Sequence, residues 1–149
     1  MRTVNGEMEL QSCINYLLTT AQHEVFQTFS SGLSQFNITP GQYGVLSCLW
    51  KNGSCTPKEI AQILRLENST ISGVLDRMQK RGLINRVVDP EDRRSVQVVP
   101  TEEGSALRDD VLRLIERLNV EILSGFSPEQ KGILLDGLRK IGNVERADA

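Results

Sequence analysis

The stretch Thr56-Pro57-Lys58-Glu59-Ile60-Ala61-Gln62-Ile63-Leu64-Arg65-Leu66-Glu67-Asn68-Ser69-Thr70-Ile71-Ser72-Gly73-Val74-Leu75-Asp76-Arg77-Met78-Gln79-Lys80-Arg81-Gly82 reads as two short helices joined by a tight turn. The first opens on Thr56-Pro57-Lys58-Glu59, where a hydroxyl can cap, proline suits the first helical position and a glutamate three residues on can bond back. In the second, Glu67-Asn68-Ser69-Thr70 forms the cap, Ile71, Val74, Leu75 and Met78 face inward, and Gly82 closes the helix after Lys80-Arg81. Beyond Gly82 the period changes. Leu83 to Val88 and Ser95 to Val99 are rich in β-branched residues and enclose the polar turn Asp89-Pro90-Glu91-Asp92-Arg93-Arg94, which predicts a hairpin with a charged tip. Helix, turn, helix, hairpin is the order of a winged helix-turn-helix, whose second helix lies in the DNA major groove.

Outward from this centre the pattern is helical. Leu10, Ile14, Leu18, Ala21, Val25, Phe29, Leu33 and Phe36 recur in steps of three or four, so one long helix is expected from Met8 to about Phe36. At about 1.5 Å per residue it would run roughly 40 Å, longer than a small lobe needs, which points to a second chain at one end. Thr39-Pro40-Gly41-Gln42 and Ser127-Pro128-Glu129-Gln130 repeat the start signature of Thr56. From the first a helix should run through Tyr43, Val45, Leu46, Leu49 and Trp50 to Asn52-Gly53, and from the second another should run to Ile141. Between them, Leu107, Val111, Leu114 or Ile115, Leu118 and Ile122 continue a helical period after Thr101. The fold class expected is therefore mostly α with a small β-hairpin wing.

The 149 residues, 39% hydrophobic and 24% charged, suffice for one domain and no more. No apolar run is long enough to span a membrane, and the N-terminus lacks the apolar block of a signal peptide, so a cytoplasmic protein is expected. Cys13, Cys48 and Cys55 with the lone His23 match no common zinc spacing, so neither a metal nor another cofactor is expected. The net charge of -2 conceals an uneven distribution: Lys51 to Arg94 holds nine basic against six acidic residues, between two acidic arms.

That centre carries the candidate DNA contacts. Ser69, Thr70, Ser72 and Gly73 are small or hydrogen-bonding at the end of the recognition helix where base edges lie, whereas Arg77 and Lys80 follow where phosphates lie. Arg77 could meet either a base or a phosphate. Arg86, Arg93 and Arg94 on the hairpin complete the set, and Asp92 should brace the turn or an arginine.

Several of these residues stand in recognisable patterns. Asp92-x-Arg94-x-x-x-Val98-x-Pro100-Thr101-x-x-Gly104 resembles D-x-R-x-x-x-V-x-L-T-x-x-G of the MarR-type bacterial transcriptional regulators. Thr39-Pro40-x-Gln42-Tyr43-x-Val45-Leu46, Glu59-Ile60-Ala61 and Ser69-Thr70-Ile71-Ser72 leading to Leu75-Asp76-Arg77-Met78-x-Lys80-Arg81-Gly82-Leu83-Ile84 are also similar, so the resemblance spans nearly the whole chain. It implies a bacterial or archaeal homodimer joined by its terminal helices, at about 8–36 and 101–149, with a winged lobe at about 39–100. Such a dimer binds a near-palindromic operator, usually as a repressor released by a small ligand. Two positions depart from the family. Gly73 replaces a frequent arginine, and Pro100 replaces leucine, which predicts that the wing strand ends one residue early.

The resemblance also implies an effector cavity between the dimerisation helices and the lobe. His23, Phe26, Tyr43, Leu46, Trp50 and Arg108 are the candidates to line it: the histidine and arginine would anchor a carboxylate and the aromatic rings would hold a ring. An aromatic carboxylate, a phenol or a thioester is the expected effector. Cys13 is the alternative signal site, because peroxide-sensing members carry a cysteine near the start of the first long helix; its neighbours Ser12, Ile14 and Asn15 supply no cation. A winged helix used only to bind proteins is the remaining class, disfavoured by Arg93-Arg94. An enzyme is not expected. Cys13 and His23 lie about 15 Å apart along one helix, and no phosphate loop or nucleophile motif accompanies them; a pairing of His23 with Cys48 or Cys55 stays open.

Overall fold

The computed structural model describes residues 3, 4 and 7–147. Two short paired strands, β1 (Thr3–Val4) and β2 (Glu7–Met8), precede seven helices: α1 (Ile14–Leu33), α2 (Pro40–Asn52), α3 (Pro57–Leu64), α4 (Asn68–Lys80), α5 (Glu102–Ala106), α6 (Arg108–Ile122) and α7 (Pro128–Gly142). The antiparallel pair β3 (Ile84–Val88) and β4 (Val96–Pro100) stands between α4 and α5 as the wing. All three Thr/Ser-Pro starts form reciprocal capping boxes. Gln42 N–H donates to Thr39 Oγ1 over 3.2 Å, Glu59 N–H to Thr56 Oγ1 over 3.1 Å and Gln130 N–H to Ser127 Oγ over 3.2 Å, and each glutamine or glutamate accepts the cap's own N–H in return.

The first helix is shorter than its apolar stripe. Met8 lies in β2, Leu10–Ser12 form a 3₁₀ turn, and Cys13 is extended at the N-cap of α1 (φ -80°, ψ 121°). At the other end a second 3₁₀ turn, Ser34–Phe36, stops on left-handed Asn37 (φ 58°). A stripe in steps of three and four cannot distinguish these tighter turns from α-helix. Pro100 departs from expectation in the other direction, since β4 includes it and pairs it with Ile84. Thr101 N–H donates to Leu83 O and Asp89 N–H to Ser95 O, so hydrogen bonds fall on alternate pairs that exclude Ile84–Pro100. The proline nitrogen points away from β3, where no ladder bond is lost.

The core lies in the lobe. Val45, Leu46 and Leu49 of α2, Ile60 of α3, Ile71, Leu75 and Met78 of α4, and Ile84 and Val98 of the wing are buried together, joined by Leu33, Val111 and Leu114. The join between wing and α5 requires a glycine: a Cβ on Gly104 would stand 2.2 Å from the Leu83 carbonyl oxygen. Thr101 Oγ1 donates to Gly82 O over 2.6 Å and accepts from Gly104 N–H over 3.0 Å, while Trp50 Nε1–H donates to Gly104 O over 3.1 Å. The Thr101-x-x-Gly104 motif is thus the clamp between α2, the wing and α5. Cys48 and Cys55 are buried in the same core; burial pushes the Cys48 thiol up, and the neighbouring Cys55 adds to this. They are inaccessible to His23, which is exposed on α1.

α1 and α7 differ from the lobe. Leu33 alone is buried on α1, and α7 buries no residue. Between them runs an apolar groove of about 580 Å³ lined by Leu17, Ala21, Val25, Phe126, Leu134 and Leu138, among others. No described helix is long and apolar enough to cross a membrane.

Candidate nucleic-acid interface

α4 turns Ile71, Val74, Leu75 and Met78 inward and leaves Ser69, Thr70, Ser72, Arg77 and Lys80 exposed, with Gly73 half-buried. The helix begins at Asn68, and its N-cap is Glu67, which makes no side-chain cap. Ser69 and Thr70 therefore lie in the first turn, and among the described residues their hydroxyls and that of Ser72 make no side-chain hydrogen bond. They remain available to a base edge. The Arg77 guanidinium folds toward the helix N-terminus over Gly73, 3.5 Å from where a Cβ there would stand. Its donors are likewise unpaired among the described residues.

Arg86 behaves differently. Its Nε donates to Gln79 Oε1 over 2.7 Å and its guanidinium pairs with Asp76, while the side chain is only 29% exposed. Arg86 thus ties β3 to α4 with two of its five N–H donors, a structural role beside the expected contact to DNA. Its guanidinium, helped by Lys80 and Arg77, holds the Asp76 carboxyl below the usual carboxylate range. At the wing tip, Asp92 accepts the Arg94 N–H over 3.0 Å and bonds through its carbonyl to Ser95 N–H, so it braces the turn. Arg93 and Arg94 are exposed, without a side-chain partner among the described residues. The sequence reading missed the cleft of about 300 Å³ between α3 and α4, which brings Lys58 and Asn68 beside Ser72 and Arg86. Lys58 in the first turn of α3 was the available signal.

Residues 38–96, which hold α2, α3, α4 and the wing to its tip, match the model of the MarR family. The chain is 34% identical over 102 residues to the organic hydroperoxide resistance transcriptional regulator of Bacillus subtilis (strain 168), an overlap of 68% of this chain and 69% of that one. The chain belongs to the MarR family. It is a DNA-binding transcriptional regulator, and its relatives are regulators rather than enzymes. Two solved structures share the fold at 24% identity. One is a mutant MarR from E. coli complexed with operator DNA, with TM-score 0.81 over 86% of this chain and 92% of that one. The other is the PcaV transcriptional regulator from Streptomyces coelicolor in complex with its natural ligand, with TM-score 0.84 over 92% and 96%.

The six residues expected to line a MarR effector cavity lie on α1 (His23, Phe26), α2 (Tyr43, Leu46, Trp50) and the start of α6 (Arg108). Leu46 is 0% exposed, a core residue that cannot wall an open cavity, and this corrects its assignment. Trp50 is half-buried with its N–H on Gly104, and Tyr43 packs against the core. His23 and Phe26 are exposed on α1, where the Gln27 amide donates to His23 Nε2 over 3.1 Å. Arg108 pairs with Asp109 at 2.9 Å. None of them lines the α1–α7 groove. Cys13 is half-buried at the N-cap of α1, where the unpaired N–H groups of the helix gather.

Proposed function

We propose that the chain acts as a homodimeric repressor, joined through α1 and the helices after Thr101, with the lobe of residues 39–100 reading an inverted-repeat operator. The observation that carries this is the open apolar groove between α1 and α7 on a chain whose lobe is already closed. A second copy covering its own groove generates an isologous two-fold and presents two α4 helices about one DNA turn apart. Ser69, Thr70, Ser72 and Gly73 then face base edges, Lys80 faces phosphate, Arg77 a base or a phosphate, and Arg94 the flanking minor groove with Arg93 beside it. Sedimentation at micromolar concentration, with selection of bound sequences from random DNA, tests the reading. A stable monomer, or selected sites without two-fold symmetry, overturns it.

Release by a small planar anion or phenol is the signal we propose. His23, Phe26, Tyr43, Trp50 and Arg108 contribute from two protomers rather than one, and a small-molecule signal is supported by a structural neighbour, PcaV, solved in complex with its natural ligand. A second reading is favoured by the name of the Bacillus relative and by the place of Cys13 at the start of α1. In it the Cys13 thiolate attacks an organic hydroperoxide, giving a sulfenic acid and the alcohol. An aromatic-acid panel and cumene hydroperoxide, applied to wild type and Cys13→Ser on the selected operator, separate the two. Release by peroxide that vanishes in the serine variant selects the oxidant. Release by an aromatic acid in both proteins selects the ligand.

A further inference from the structure

The turn between α3 and α4 ends α3 on Arg65, a non-glycine residue in the left-handed region (φ 54°, ψ 47°). Glycine or asparagine fills such a cap at less conformational cost, so the arginine side chain calls for another explanation. Its guanidinium reaches the far end of the chain: NH1 donates to the Gly142 carbonyl and NH2 donates to the Asn143 carbonyl over 3.0 Å. These carbonyls close α7, which also ends on a left-handed residue, Asn143 (φ 51°), with Val144 N–H on Arg139 O over 2.9 Å. A cation on the negative end of a helix dipole and two bonds to otherwise unpaired carbonyls give the guanidinium one orientation.

The location gives the contact its meaning. α7 buries no residue, so packing within the chain does not fix where its C-terminal end lies relative to the lobe. α4 starts three residues after Arg65. One side chain therefore joins the end of the helix that lines the open apolar groove to the base of the recognition helix. Resting on the dimeric DNA-binding reading above, we infer that Arg65 is a positioning residue. It locks the lobe to the dimerisation helices and so sets the half-site spacing that the dimer accepts.

The test uses the full-length chain and an inverted repeat that the wild type selects from random DNA, remade with the central spacer longer or shorter by one and two base pairs. Wild type should lose at least about tenfold in affinity for a two-base-pair change, since the half-sites rotate as well as separate. Arg65→Ala should bind the native spacing about tenfold more weakly and hold all spacings within about threefold of one another, the sign of an unlocked lobe. Arg65→Gly relaxes the left-handed turn while removing the bridge, so it keeps the fold and should show the same flattening. A glycine variant with the wild-type spacing profile, or an alanine variant weakened by one factor at every spacing, overturns the proposal. A wild type that selects no inverted repeat removes the dimeric reading itself, and is scored before any variant is made.

Discussion

The winged lobe and the pair α1–α7 both carry apolar residues at helical spacing, yet one buries its stripe and the other does not. In the lobe, Leu46, Ile60, Ile71, Leu75 and Val98 each meet partners from several elements, and every one is essentially inaccessible. Along α1 and α7 the same spacing leaves Ile14, Leu17, Ile133, Leu138 and Ile141 exposed. The difference teaches that periodicity fixes which face is apolar but leaves open whether its partner belongs to the same chain. Where connections are short, as in α3, α4 and the wing, the partner is near at hand. The terminal helices face each other only across a groove, which in the proposed dimer a second copy would complete.

The comparison breaks most completely if the groove is charged. Leu138→Glu, or Leu17→Glu on the opposite wall, should abolish the dimer and weaken operator binding by more than about 100-fold, because two half-sites would no longer be engaged together. Sedimentation and operator titration check this, and circular dichroism should show a lobe that is still folded. Retained dimerisation would mean that another surface joins the copies.

The next largest effect belongs to the lobe alone. Gly104→Ala places a methyl group where the Leu83 carbonyl stands, 2.2 Å from the built Cβ, and backbone must yield. A loss of about 1–3 kcal/mol is expected, typical of overpacking, with a lower melting temperature and a shifted Trp50 emission as its bond to Gly104 loosens. Dimer affinity should change little. A variant as stable as wild type would show that Thr101-x-x-Gly104 is not the clamp described here.

These two regions were legible to different degrees. The three capping boxes, the inward face of α4 and the left-handed Gly82 could be read because each rests on residues within a few positions of one another. The break at Cys13 was not legible, since a single 3₁₀ turn is too short for its period to be told from that of an α-helix; nor were β1 and β2, whose two residues each carry no period. At the interface, Asp92 as a turn brace was legible from its distance of two residues to Arg94. The commitment of Arg86 was not, because its partners Asp76 and Gln79 come from α4 and meet it only once the wing has folded back. Leu46 was misplaced for a related reason. Its position beside Tyr43 and Trp50 in sequence says nothing about how deeply α2 is buried.

A smaller effect sharpens the lobe's own division between free and committed cations. Arg94→Ala should weaken binding about tenfold on many sequences and reduce the slope of log affinity against log salt by about one, as expected for one lost phosphate-region contact. Arg86→Ala should leave that slope nearly unchanged, since its charge is already paired with Asp76. Substituting Ser69, Thr70 or Ser72 should alter the preferred sequence with little change in slope. Equal slopes for Arg94→Ala and wild type would move the minor-groove contact to Arg93.

The smallest expected effect is on pH. Asp76 is depressed in the folded chain, first by the hydrogen bond from Arg86 and then by the surrounding positive charge. A depressed carboxyl binds its proton less readily folded than unfolded, so its contribution is complete above the ordinary carboxylate value and is lost as the pH falls through the lower, folded value. Thermal melts of wild type between pH 7 and about pH 3 should therefore lose stability relative to Asp76→Asn, which keeps an acceptor for Arg86 but does not titrate across that range. Because the carboxyl is exposed, solvent screens the pair and the divergence should be modest, smaller still in high salt. Above pH 6 the two melting temperatures should run parallel. If they diverge there instead, Asp76 holds the wing by something other than its charge.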